Sequence, residues 1–182
     1  GPYKRILAAV DVAQFHPPED LARHRRLNVQ VLEMAASLAL AESAELHVVH
    51  AWEAMTELAS NLAVSASIPK DRLASGIEQE RLQHRQQLDR LLHDIGAPNP
   101  AAQEALRYLA PRTHLVKGSP RQEVPLLARQ LEVDCLVMGT VARTGIRGFF
   151  MGNTAETILE QIDCSVLAIK PEGFATPVTA ND

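Results

Sequence analysis

Aromatic side chains make up only 4% of this 182-residue sequence, with one Trp among them, and there are two cysteines. Those two, Cys135 and Cys164, lie far apart, with no C-x-x-C spacing and no histidine at ligand distance, so a thiolate metal module has no basis. Both read as buried structural thiols. The seven histidines and 22 acidic residues contain no H-E-x-x-H or comparable spacing, and no metal site is expected. A strong charge of one sign is lacking too. With 18 Lys and Arg against 22 Asp and Glu, the net charge of -4 gives no field that would draw a polyanion, which argues against nucleic-acid and anionic-membrane partners. No apolar run approaches the roughly 20 residues of a membrane span, and the opening "GPYKRILAAV" has no signal-peptide core. The expectation is a soluble, cytoplasmic protein. Its start at Gly1-Pro2 rather than Met reads as a tag scar or as an internal boundary of a longer chain.

What is present is an apolar fraction of 46% in a chain of the size where one core buries roughly 70% of the unfolded surface, so a single domain is expected. Five short apolar runs recur: "ILAAV" (6–10), "LHVVHA" (46–51), "THLVK" (113–117), "CLVMG" (135–139) and "SVLAI" (165–169). They are continuous rather than alternating, as in strands covered on both faces. Between them lie apolar stripes at helical spacing: Leu27, Val31, Met34 and Leu38; Val124, Leu127 and Leu131; Ala155, Ile158, Leu159 and Ile162. A longer polar helix is predicted from about Pro69 to Ile95, with Leu73, Ile77, Leu88, Leu91 and Ile95 inward and Gly96 as its stop. Strand and helix in alternation imply an α/β domain: a doubly wound, five-stranded parallel sheet with helices on both faces. Its ligand crevice would lie at the carboxyl ends of the strands, near Asp11, Ala51, Gly118 and Gly139.

Two helix starts look capped, Ser119-Pro120 with Gln122 and Asn153 with Glu156. Two segments, residues 11 to about 24 and 52 to about 68, are long for α/β connections and read as loops; the second, rich in Ala and Leu, reads as a lid with a short helix. From Pro171 on, a loose tail is expected.

The most distinctive stretch is "VMGTVARTGIRGFFMGNTAE" (137–156), which places Gly139, Gly145, Gly148 and Gly152 with Arg143 and Arg147 between a strand and a helix. Glycine lets backbone N–H groups approach an anion, and the arginines could add charge-assisted bonds. A long turn needs glycines on its own account, so both readings stand. The pattern is neither a Walker A loop nor G-x-G-x-x-G.

The run of "RILAAVDV", "DCLVMGT", the glycine stretch and "CSVLAIKP" resembles a universal stress protein (Usp) domain over about residues 3 to 172, leaving 173–182 as the tail. It is most similar to the second domain of UspE-type tandem proteins. The resemblance implies strand order 3-2-1-4-5. ATP-binding members share G-x2-G-x9-G-[ST]; here the register gives Gly139, Ala142, Gly152 and Asn153, so the middle glycine and the hydroxyl are replaced and Thr154 comes one place late. Carried over, Asp11 is the carboxylate that faces adenosine, or a turn aspartate. Val49 or His50 borders the base, with a core role open for Val49. Gly139, Ala142, Arg143, Gly152, Asn153 and Thr154 line the phosphate loop.

The resemblance thus implies a stress-response binding module with ATP or another adenine nucleotide as ligand, and Mg²⁺ only alongside ATP. The alternative is a degenerate crevice, empty or holding an apolar ligand, for which Phe149, Phe150 and Met151 supply a wall. The partner expected is a second copy, or a second Usp domain in a tandem chain, paired through the last strand. No nucleophile, base and oxyanion set can be assembled, so an enzyme is not expected. A slow ATP hydrolase or adenylyl transferase would need a carboxylate from Asp11, Asp20 or Glu53 at the γ-phosphate.

Overall fold

Each of the five apolar runs forms a strand, and the chain alternates these with six helices among the residues that the computed structural model describes, 2–12, 18–62, 69–95, 99–140 and 152–170. In chain order these are β1 (Arg5–Ala9), α1 (Pro18–Glu42), β2 (Glu45–Trp52), α2 (Met55–Leu62), α3 (Lys70–Asp94), α4 (Pro100–Leu109), β3 (Arg112–Lys117), α5 (Pro120–Gln130), β4 (Cys135–Gly139), α6 (Asn153–Gln161) and β5 (Ser165–Ile169). All four strand pairs are parallel and the sheet order is β3-β2-β1-β4-β5, as the resemblance implies.

Alternate residues of the central strands feed two separate cores. Ile6, Ala8, Val10, Val48 and Val137 pack with α1, α3 and α4; Leu7, Val49, Leu136 and Met138 pack with α5 and α6. Burial on both faces is why these strands carry no polar alternation, at about 1.5–3 kcal/mol for each large aliphatic side chain removed from water. The starts of β1 and β4 are tied by Asp134, whose carboxylate accepts the backbone N–H groups of Lys4 (2.7 Å) and Arg5 (2.8 Å). Those two bonds hold its pKa below the ordinary carboxylate value.

Several expectations are corrected. Residues 18–24 are not loop but the first turns of α1, a start that Pro18 suits because its φ is already helical. Met34 is 45% exposed; the face of α1 toward the sheet is Leu27, Val31, Leu32, Ala35, Ala36 and Ala39, where small residues bring the helix close. Helix α4 was not anticipated, although Asn99 caps it by accepting from the Ala102 N–H (3.2 Å) and Pro100 opens it. The Ser119 hydroxyl does not cap α5; its carbonyl instead accepts from Gln122 and Glu123 (both 2.9 Å). In α6 the N-cap is Gly152, with Asn153 inside the helix, so no side-chain cap forms. Pro125 lies within α5 and has no N–H for the Arg121 carbonyl, which accepts from Gln161 Nε2 of α6 at 3.4 Å. The predicted helix stop Gly96 and the tail 173–182 lie outside the described residues, as do 63–68 of the expected lid.

Candidate functional site

In a sheet of this order the direction of winding reverses between β1 and β4, the place where doubly wound sheets set their ligand crevice, beyond the strands' carboxyl ends. Ala9 sits between Val49 and Met138 in register. One residue further, the Val10 N–H still bonds the Val49 carbonyl (3.0 Å), and then β1 leaves the sheet. Asp11 follows, exposed, with its backbone clamped by one side chain of α1. Asn28 Oδ1 accepts the Asp11 N–H at 3.0 Å, and Asn28 Nδ2 donates to the Asp11 carbonyl at 2.6 Å. Asn28 is itself buried, so both halves of its amide are spent on holding this turn.

Across the switch, β4 ends at Gly139, and Thr140 turns back on β5: its N–H (2.8 Å) and its hydroxyl (3.3 Å) both donate to the Ile169 carbonyl. The chain is next described at Gly152, whose φ of -62° and ψ of 142° make it the extended N-cap of α6. Asn153 is exposed and Thr154 half-buried, with its Oγ1 3.5 Å from Arg121 Nε. Of the expected site residues, Asp11 and Gly139 therefore stand at the ends of neighbouring strands, and Gly152, Asn153 and Thr154 at the start of α6. Val49 is fully buried and belongs to the core between the sheet and α5 and α6. Ala142 and Arg143 lie outside the described residues, together with Arg147, Phe149, Phe150 and Met151.

Beneath the crevice lies a group that sequence reasoning largely missed. His50, 1% exposed on β2, places Nδ1 3.2 Å from the Val10 carbonyl and Nε2 2.9 Å from Nδ1 of His84 on α3. Trp52 stands against His84 with ring centroids 5.1 Å apart. Burial pushes both imidazoles below their ordinary pKa, and the Asp11 carboxylate pulls each partly back. One turn before His84, Glu80 accepts the Met55 N–H (2.7 Å), the Thr56 N–H (2.8 Å) and the Thr56 hydroxyl, and so seats the start of α2. Burial would raise the Glu80 pKa, but those donors and His84 outweigh it and hold it low. No residue of α2 is buried; the helix rests on polar contacts, Lys117 to Glu57 at 2.6 Å included.

A second histidine pair, His47 and His114, stacks at the far edge, Nδ1 to Nε2 2.9 Å, with Glu45 3.6 Å from His47. Neither pair has a signal in the linear sequence, because each joins residues tens of positions apart. Among the described residues no three metal-ligating side chains converge, and no helix is long and apolar enough to cross a membrane. A surface hollow of about 430 Å³ lies elsewhere, between α3 and α4 at the amino end of β3, lined by Leu92, His93, Leu106 and Arg107 among others.

The family model described as "Universal stress protein family" matches residues 2–170. Universal stress protein E of Escherichia coli K12 is 46% identical over 70 residues, 38% of this chain and 22% of that protein. The universal stress protein E homolog of Haemophilus influenzae is 28% identical over 168 residues, 92% of this chain and 48% of its own length. The chain thus spans about half the length of that relative. Among solved structures, a universal stress protein from Pseudomonas aeruginosa UCBPP-PA14 aligns with a TM-score of 0.63 at 26% identity, over 94% of this chain and 50% of that one. The Archaeoglobus fulgidus universal stress protein in complex with dAMP aligns at 0.52 and 17% identity, over 93% of this chain and all of that one (100%), a likeness of fold.

Proposed function

The chain belongs to the universal stress protein family, and from that premise we propose that it is a stress-response binding module whose crevice takes an adenine nucleotide over Asp11, Gly139 and Gly152. The observation that carries this is the pairing of a carboxylate on a clamped backbone with a helix start that lacks a side-chain cap. Asp11 is exposed where β1 leaves the sheet, with its backbone clamped by Asn28, and α6 begins after Gly152 without a side-chain cap. A carboxylate suits the ribose hydroxyls, and unclaimed N–H groups at a helix start suit a phosphate. The dAMP complex of the Archaeoglobus relative supports the same class of ligand. Asn153 and Thr154 add polar groups at that helix start, and the family register assigns Ala142 and Arg143, outside the described residues, to the phosphate side. Mg²⁺ would enter only with the polyphosphate of ATP. The role is binding in the cytoplasm, without turnover. Denaturing the purified protein and identifying what it releases tests the reading: AMP or ATP near one per chain supports it, and a released apolar molecule would replace it.

A second reading concerns partners, and a specific observation favours it. β5 is the outermost strand on its side, and Val166, Leu167 and Ile169 along it are only half-buried. An edge of this kind invites association. We propose that it pairs with a second copy or with another domain of the same family in a longer chain. The half-length coverage of the Haemophilus and Pseudomonas relatives supports the tandem form. Light scattering that finds only monomers at high concentration, for this chain and for any longer one that contains it, would refute pairing.

A further inference from the structure

The hydrogen bonds of the buried histidine pair leave room for one proton at one atom. The Val10 carbonyl can only accept, so His50 Nδ1 carries a hydrogen and donates to it at 3.2 Å. In the neutral ring His50 Nε2 is then an acceptor, and the 2.9 Å contact requires Nδ1–H of His84 to be the donor. Each of those three nitrogens is thereby assigned. The remaining lone pair is on His84 Nε2. Among the described residues, the charged groups that face the pair are Asp11, beyond the end of β1, and Glu80, one turn earlier on α3 beside His84; both favour a positive charge there.

We propose that His50 and His84 form a single-proton switch beneath the crevice: a proton entering at His84 Nε2 turns the neutral pair into a cation that offsets the Asp11 carboxylate. Protonated His84 keeps its Nδ1–H bond to His50, now charge-assisted and stronger. A second proton would have to sit on His50 Nε2 and face that N–H directly, so it cannot be accommodated while the contact lasts. Neutral at pH 7 because burial lowers both groups, the pair becomes a cation on acidification. Trp52, the only Trp in the chain, stands 5.1 Å from His84 and reports its charge.

For ligand binding the consequence rests on the adenine-nucleotide reading of the crevice. A positive charge below Asp11 favours an anion, so a bound phosphate raises the affinity of the pair for its proton and, reciprocally, acid strengthens phosphate binding. The switch itself is tested without any ligand. Side-chain ¹⁵N spectra and Trp52 emission are followed on the whole chain from about pH 8 to about pH 5, across the range where imidazoles titrate. His84 should take up a proton below the ordinary imidazole value, with His50 holding its Nδ1–H form throughout and Trp52 emission falling on the same curve. Asp11→Asn, at an exposed position, should move that midpoint lower, and His84→Gln should abolish the Trp52 change. Independent protonation of both rings, protonation of His50 first, or a midpoint indifferent to Asp11→Asn would overturn the proposal. AMP titrated at both ends of the range separates the two ideas: a several-fold gain in acid, lost in His84→Gln, supports the coupling. An equal gain in the variant overturns the coupling. No AMP binding at either pH overturns the nucleotide reading, while the histidine spectra still decide the switch.

Discussion

A Cβ added to Gly139 would lie 2.6 Å from Cδ2 of Leu27 and 2.8 Å from its Cγ. Leu27 is buried on α1, so a side chain at the end of β4 would force Leu27 to shift within the core. The glycine that looked like the first member of a phosphate loop has a packing reason of its own. Gly139→Ala is expected to cost about 1–3 kcal/mol, as overpacking does, with less cost in a Leu27→Ala background because the two sites share the contact. Urea melts of the single and double variants give the coupling; additive costs would show that Leu27 is not the obstacle.

Asn28 holds the Asp11 backbone through both halves of its amide. Asn28→Ala leaves the Asp11 N–H and carbonyl without these partners, at about 1–3 kcal/mol of stability, and loosens the carboxylate at the crevice mouth. Asn28→Asp keeps the acceptor but loses the donor and adds a like charge, so it should be at least as harmful. Thermal melts check the first effect and nucleotide affinity the second. Normal stability in Asn28→Ala would show that water replaces the clamp.

Acid should weaken the fold in a defined window. His47, His50, His84 and His114 are all pushed below the ordinary imidazole value, first of all by burial. The unfolded chain therefore binds protons first on acidification. Stability is complete above about pH 6.5 and is lost as pH falls through that value toward the folded pKa of each ring. Asp134, held low by the Lys4 and Arg5 amides, adds a further loss in the carboxylate range. Denaturation midpoints measured at about pH 7.5 and about pH 5.5 should differ, with less difference in His47→Gln. Equal midpoints would contradict the burial of these rings.

The seat of α2 is polar and correspondingly easy to loosen. Glu80→Gln removes one of the two acceptor oxygens that hold Met55 and Thr56, so backbone amides of Met55–Leu62 should exchange faster while those of α3 do not. Gly76→Ala should act alike by a different route. Its Cβ would meet Thr56 Cγ2 at 2.8 Å, pushing α2 away even as the added methyl favours α3 by about 0.5–1 kcal/mol. Unchanged exchange in α2 for both variants would mean that other contacts hold it.

Much of the fold was legible because its signals are local. Both-face burial gives strands without alternation, and all five apolar runs became strands with ends within a residue of those expected. Helix ends were harder to read. Ser43, Ala110 and Glu132 take left-handed conformations with φ of 56°, 42° and 49°, so α1, α4 and α5 finish without the glycine that marks a stop in sequence. That is one reason α4 escaped notice. The arrangement at the strand ends was legible where it depends on position along one strand, as for the placement of Asp11 and Gly139. It was illegible where it depends on contacts between elements: the Asn28 clamp reaches from α1 to the end of β1, and the His50–His84 pair from β2 to α3.

The role proposed for this chain turns on whether the crevice over Asp11 holds an adenine nucleotide. Isothermal titration of Mg-ATP and of AMP into the protein, with Asp11→Ala alongside, tests this most directly. The prediction is saturable binding near one equivalent per chain, weakened about 10- to 100-fold in Asp11→Ala, the range expected for losing hydrogen bonds to a charged group. Absence of heat with either nucleotide, or equal affinity in Asp11→Ala, would contradict it.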